Sequence, residues 1–231
     1  MIDKIVYTYW TNGGTDYKLG FLNTDNMLHV FRKSIEEAYK QVSTVVVYCD
    51  QEGYDFLFDK IDPDFVIVDY SQYEFDSRYW NFPKLITYNL QEEPFLHVDI
   101  DAIVFNFDKE GDVVSESKRG VYYDTSIYPS LEDKKELLTY FKGWLTCSGI
   151  LGGNNTDIFK ELFEEVKETV KNKDSYIILP KTRMIIEEVV LSSLINKNNI
   201  TVSYLSKENN DFTHYWGEDK QQNFISYVNS K

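Results

Sequence analysis

The sequence predicts an α/β fold, a mixed and mostly parallel sheet flanked by helices, built as one domain over residues 1–231. Three observations carry that expectation. Apolar, β-branched runs alternate with helical patterns through the first half, and strands separated by helices pair in parallel. Apolar residues make up 42% of the chain and aromatic residues 16%, enough to fill a sizeable core. No linker, low-complexity tract or internal repeat divides the chain.

Each element has its own signal. Residues 4–9 (KIVYTY) read as a strand. Over 25–41, Met27, Val30, Phe31, Ile35 and Ala38 recur near a 3.6-residue period, the mark of an amphipathic helix. The run 44–48 (TVVVY) predicts a buried strand, 54–60 a short helix, and 65–68 (FVIV) another strand. Residues 79–91 predict a helix with Pro83 near its first turn, where a missing N–H is tolerated. The stretch 95–105 (FLHVDIDAIVF) is the most apolar in the chain and reads as one deep strand. Beyond it come strands over 120–123 and 145–151, helices over 155–172 and 182–196, and a strand near 201–205. A C-terminal segment covers 211–229, and polar stretches at 106–118 and 173–181 read as loops.

Composition narrows the function. With 24 basic and 38 acidic residues the formal charge is −14, which argues against nucleic-acid binding and against adhesion to an anionic membrane. An acidic protein that binds an anionic nucleotide needs a local reversal of sign, and a cation held by carboxylates supplies one. The 18 tyrosines offer flat apolar faces with polar tips, suited to a sugar or a base. Cys49 and Cys147 lie in apolar runs and predict buried free thiols in a reducing compartment. No signal-peptide pattern opens the chain and no apolar run reaches the length of a membrane span. The expected location is the cytoplasm, at most docked on the inner face of the membrane.

Two groups of residues stand out. Asp99 and Asp101 are two apart, so in extended chain both carboxylates face one side amid apolar neighbours. Paired carboxylates in a low-dielectric place repel, and an oxygen-ligated hard cation relieves them. Asp62 and Asp64 repeat the spacing around Pro63 but read as a solvated turn. In THYWGEDK, His214, Gly217 and Lys220 fall at intervals of three. Imidazole can join two carboxylates on Mn2+, glycine admits a phosphate close to the backbone, and lysine gives it a point charge. Taken alone, the same segment reads as the start of a surface helix with His214 packed beside Tyr215 and Trp216.

Together these motifs resemble a known family. An apolar strand ending in Asp-x-Asp after strand–helix alternation resembles the nucleotide-binding half of GT-A-fold glycosyltransferases. The His214, Gly217, Lys220 spacing is similar to the HxxGxxK element of glycosyltransferase family 8. The resemblance implies a GT-A-type, Rossmann-like fold with a nucleotide-binding half over 1–105 and an acceptor- and sugar-binding half over 106–231. It implies Mn2+ or Mg2+ as cofactor, held by Asp99, Asp101 and His214, with Gly217 and Lys220 on the donor diphosphate. Gln221 and Gln222 depart from the Lys-Pro-Trp that many members carry, which bears on the C-terminal lid.

Further positions take expectations from residues and resemblance together. Tyr9, Trp10 and Thr11 end the first strand, where such sheets bind ligands, so Tyr9 or Trp10 would stack on a base and Thr11 or Asn12 would hydrogen-bond it; aromatic core packing is the plain alternative. Lys84 corresponds to a basic residue that reaches the nucleotide, though a lone helical lysine is ordinarily solvated. Ser148 and Gly149 resemble the strand lining the sugar-binding floor, while Gly152 and Gly153 read otherwise as a tight turn. Glu187 and Glu188 interrupt an apolar helix, where acids are expensive unless used. One would face the cleft, Glu187 by preference, to orient the sugar or serve as base or nucleophile. The implied activity is transfer of a sugar, with retention, from a nucleotide-diphosphate donor such as a UDP-sugar to a glycan or glycoside hydroxyl. A non-catalytic nucleotide-sugar or glycan binder of the same fold is the alternative.

Overall fold

The structure, a computed structural model, describes residues 1–11, 24–75, 79, 81–120, 134–171 and 186–215. Its strands are β1 (Lys4–Tyr9), β2 (Thr44–Cys49), β3 (Asp64–Ile67), β4 (Phe95–Val98), β5 (Ala102–Val104) and β6 (Val113–Ser115). They continue with β7 (Lys118–Gly120), β8 (Trp144–Thr146), β9 (Ile150–Gly153), β10 (Val202–Tyr204) and β11 (Phe212–His214). The helices are α1 (Thr24–Tyr39), α2 (Gln51–Leu57), α3 (Phe82–Asn89), α4 (Lys135–Leu138), α5 (Thr156–Lys171) and α6 (Ile186–Lys197).

Seven strands form the central sheet in the order β10-β6-β9-β4-β1-β2-β3. β9 runs antiparallel to both its neighbours, and the other pairings are parallel. Alternation along each strand splits the core in two. Val6, Val46, Tyr48, Phe95 and Leu151 face α3, α5 and α6, while Ile5, Tyr7, Val45, Val47, Leu96 and Ile150 face α1. The run TVVVY is apolar because β2 is covered on both faces. The stripe Met27, Val30, Phe31, Ile35 and Ala38 is buried, as the α1 periodicity predicts. Pro83 sits in the first turn of α3. Cys49 and Cys147 are buried free thiols, and burial pushes them up to about 12 and about 11 respectively. Among the described residues no helix is long and apolar enough to cross a membrane.

Five expectations are corrected. Residues 95–105 are not one strand. A turn closed by the Ala102 N–H on the Asp99 carbonyl (2.9 Å) separates β4 from β5, which pairs with β11 in a sheet of its own. The loop expected over 106–118 contains β6, whose two valines are buried between β9 and β10; three residues are too few for a periodicity signal. Residues 145–151 divide into β8, paired with β7, and β9 in the main sheet. Gly152 and Gly153 lie within β9 rather than in a turn. The helix expected over 54–60 starts earlier because the Asp50 side chain accepts from Gly53 N (2.8 Å) and caps it.

Gly152 is dictated by packing. A Cβ there would overlap the Phe95 carbonyl and the Leu96 Cα of the neighbouring strand, which are backbone and cannot swing away. We expect Gly152→Ala to cost about 2 kcal/mol or more and to lower Tm by roughly 4–8 °C in thermal unfolding followed by circular dichroism. An unchanged Tm would contradict this account of β9.

Candidate functional site

Strand direction decides what meets at one edge. β1, β2, β4 and β6 all end there, delivering Tyr9, Asp50, Asp99 and Glu116. β9 runs the other way, so its entry residues Ser148 and Gly149 reach the same edge. The Asp99 N–H donates to the Gly149 carbonyl (2.8 Å), extending the β4–β9 ladder by one rung into the site.

The turn at 99–102 then separates the acidic pair. Asp99 keeps the face of His97, two residues earlier, whose Nδ1 lies 3.8 Å from its Oδ1, and meets Lys84 of α3. Asp101 is swung towards β11, where its carbonyl accepts from Tyr215 N (2.8 Å) and its Oδ1 lies 3.3 Å from His214 Nε2. Convergence therefore comes from a turn, not from the two-residue period of an extended strand. Ligand atoms of Asp99, Asp101 and His214 all lie within 4.8 Å of one another. Asp62 and Asp64, by contrast, are exposed.

Lys84 is not solvated. Its ammonium is buried, 3.3 Å from Asp99 Oδ1 and 3.4 Å from Glu187 Oε1, and donates to the Ser148 carbonyl (3.2 Å). Burial alone would lower its pKa, but the Asp99 and Glu187 carboxylates overcome it and hold the charge well above its ordinary range. Burial pushes Asp99 up to about 6, against Lys84 and with repulsion from Asp101. His97, bonded to Thr8 Oγ1 (3.0 Å), is kept neutral by burial and by Lys84. Burial also opposes charge on His214, yet hydrogen bonds to Asp101 and Glu116 raise it to about 10.

Neither glutamate of α6 is exposed. Glu187 accepts from Asn81 Nδ2 (2.7 Å) and from the Ser148 hydroxyl. Glu188 accepts from Ser148 N (3.2 Å) and pairs with Arg119 on β7. Both stand in the first turn of α6, where the helix dipole favours acids. Burial still pushes Glu188 up to about 7, Arg119 notwithstanding. Ser148 thus links both glutamates and Lys84. Gly149 is filled rather than open: a Cβ there would overlap the His214 ring and the Glu116 carboxylate.

At the end of β1, Tyr9 stacks on Phe56 (centroids 5.9 Å apart) and Trp10 packs on Phe75 and Tyr70 from the other face. Both rings are half-buried. Thr11 donates its N–H (3.1 Å) to Asp50, and its hydroxyl lies 2.6 Å from the same oxygen and 3.0 Å from Glu52. Asn12, Gly217 and Lys220 lie outside the described residues. Sequence reasoning passed over Asp50, Asn81, Glu116 and Arg119. A capping signal before α2 points to Asp50. Nothing local marks the other three, whose partners lie far along the chain.

Five carboxylates (Asp99, Asp101, Glu116, Glu187, Glu188) meet three cations (Lys84, Arg119 and protonated His214), an excess of two negative charges when all are ionised. Two carboxylates and an imidazole suit a borderline divalent metal; with His214 neutral as a ligand the excess is three negative charges, of which the metal offsets two. The residues fit Mn2+ or Mg2+.

Residues 3–231 match a model described as "Family of unknown function (DUF6734)". The chain belongs to that family. No curated protein matches it in sequence. Among solved structures it is similar to the glycosyltransferase GlyE of Streptococcus pneumoniae TIGR4, with TM-score 0.50 and 13% identity. That match covers 95% of this chain and 56% of the other, so the DUF6734 chain spans little more than half of that protein. It is also similar to core-mannan synthase A of Aspergillus fumigatus in its Mn/GDP form, with TM-score 0.51, 9% identity, and coverage of 93% and 75%. At such identities the likeness is one of architecture: the DUF6734 chain has the GT-A fold of nucleotide-diphospho-sugar transferases.

Glu188 generates a pH prediction. Its pKa rises on folding from 4.5 to about 7, so between those values the folded state binds more protons than the unfolded one. Stability from this group is present below pH 4.5 and is lost as pH rises to 7. Glu188→Gln should raise Tm relative to the parent more at pH 8 than at pH 5. An equal difference at both pH values would contradict the assignment.

Proposed function

We propose that the DUF6734 chain is a metal-dependent glycosyltransferase, allied to glycosyltransferase family 8, that moves a hexose from a nucleotide-diphosphate donor to a glycan or glycoside hydroxyl. The observation that carries this reading is the convergence of Asp99, Asp101 and His214 at the carboxyl edge of a GT-A sheet, within a site whose carboxylates outnumber its cations. Bound there, Mn2+ or Mg2+ would neutralise charge on the departing diphosphate.

The chain's own residues have distinct tasks in this reading. Asp99, Asp101 and His214 hold the metal, and Lys84 fixes Asp99 while balancing its charge. Tyr9 or Trp10 stacks on the base beside Thr11, with Asp50 orienting Thr11. Gly217 and Lys220 contact the diphosphate. Ser148 and Gly149 form the floor beneath the sugar, and UDP is the first nucleotide to test. Glu187 and Glu188 act on the sugar through Ser148, Lys84 and Arg119, because each is buried and committed to those partners. That commitment also favours a second reading, a protein of the same fold that binds the donor without transferring it.

A thermal-shift screen of UDP-, GDP- and CMP-sugars, with and without Mn2+, tests the proposal. At a hundredfold excess over Kd the cognate donor adds about 2.7 kcal/mol, a rise of roughly 5–10 °C. Asp101→Ala should abolish the Mn2+-dependent part. Shift without donor hydrolysis or transfer would select the binder reading. No shift with any donor would overturn both.

A further inference from the structure

The site contains a carboxylate that neither the Asp pair nor the family resemblance accounts for. Glu116 follows β6, and its N–H donates to the Ile150 carbonyl (2.8 Å), continuing the β6–β9 ladder. Its neighbours are tied to the same strand region: Ser115 Oγ donates to the Cys147 carbonyl (2.7 Å), and Cys147 N donates to the Ser117 carbonyl (3.0 Å). The Glu116 backbone is therefore fixed on both sides. Its side chain is buried and lies 2.9 Å, through Oε2, from His214 Nδ1. The two residues are 98 apart in sequence and arrive on different sheets. Gly149 leaves the space in which they meet.

The two ring nitrogens of His214 therefore have different neighbours. Nε2 points to Asp101 and the ligand cluster, at 3.3 Å from Oδ1. Nδ1 points to Glu116. A neutral imidazole that offers a lone pair through Nε2 must carry its proton on Nδ1, and that proton needs an acceptor. A buried carboxylate is the strongest one available, and it raises the basicity of the ligand nitrogen while fixing the ring plane.

We propose that Glu116 is a positioning residue of the metal centre: it accepts the Nδ1 proton of His214 and so directs Nε2 at the cation. This rests on the metal-site reading above and extends it to a residue that touches neither metal nor donor. Glu116 selects the tautomer and orientation of the ligand, and Gly149 is required because any larger residue would separate the pair.

The test is Mn2+ affinity of the full chain without nucleotide, measured by the electron paramagnetic resonance of free Mn2+. The variants are Glu116→Gln, Glu116→Ala, His214→Ala and the double variant Glu116→Ala with His214→Ala. Glu116→Gln keeps the shape and loses the charge, so it remains informative if the alanine variant folds poorly. We expect each Glu116 variant to bind Mn2+ about ten- to a hundredfold more weakly. In the His214→Ala background the Glu116 substitution should add nothing further, because its effect runs through the ring. Affinity within twofold of the parent in Glu116→Gln would overturn the proposal, as would independent losses in the double variant. If the parent chain itself binds no Mn2+, the metal-site reading fails. If the parent binds and His214→Ala binds equally well, the Asp pair stands and the His214–Glu116 relation falls.

Discussion

Repulsion among five carboxylates drawn to one edge of the sheet is the constraint that shapes this protein. Two of them, Asp99 and Asp101, share a turn; Glu187 and Glu188 are adjacent on α6; Glu116 lies across Gly149. In so dry a setting each needs a cation or a hydrogen-bond donor. The chain brings Lys84 from α3, Arg119 from β7 and His214 from β11. Ser148 then links the Lys84 and Arg119 arms by donating its hydroxyl to Glu187 and its N–H to Glu188. The helices are thus held to the sheet by charge at the site and by apolar packing elsewhere.

Such an arrangement is poor stabilisation by itself. Buried ion pairs recover much of their Coulombic attraction only against a large desolvation penalty, and well-packed apolar groups of the same size often do as well. Lys84 could make apolar contacts as a leucine at its position on α3, beside Leu85 and Ile86. That a lysine is held there, charged and bonded to Asp99, points to a requirement other than stability. Keeping Asp99 in place against its repulsion from Asp101 is the evident one.

How much of this was legible depended on whether a signal was local. The strand–helix alternation, the α1 stripe, the Pro83 helix start and the buried thiols were all readable, because each is fixed by periodicity or by its immediate neighbours. Asp99 and Asp101 were picked out by their apolar surroundings, but the geometry assigned to them was wrong. The turn that breaks 95–105 is closed by one backbone bond and has neither glycine nor proline to mark it. β6 was hidden because three residues buried by neighbouring strands carry no period. Glu116, Arg119 and Asn81 were invisible for a different reason: each is defined by a partner about 70 to 110 residues away, and only the folded topology supplies the pairing.

That topology explains why the site can be so dense. In an all-parallel sheet only strand ends would reach the carboxyl edge, each followed by a chain leaving for its crossover. Reversing β9 alone puts a strand entry between two strand ends. Ser148 and Gly149 therefore approach from the opposite direction, between Asp99 after β4 and Glu116 after β6, with ladder bonds on both sides. Gly149 leaves room for the His214–Glu116 pair, and Ser148 turns its hydroxyl and N–H towards α6. Because β4 and β6 both lean on this strand, a shift of β9 by one rung would misplace Asp99, Glu116 and both glutamates together. The glycines at 149, 152 and 153 let backbone and site groups pack directly on β9, which fixes its register against both neighbours.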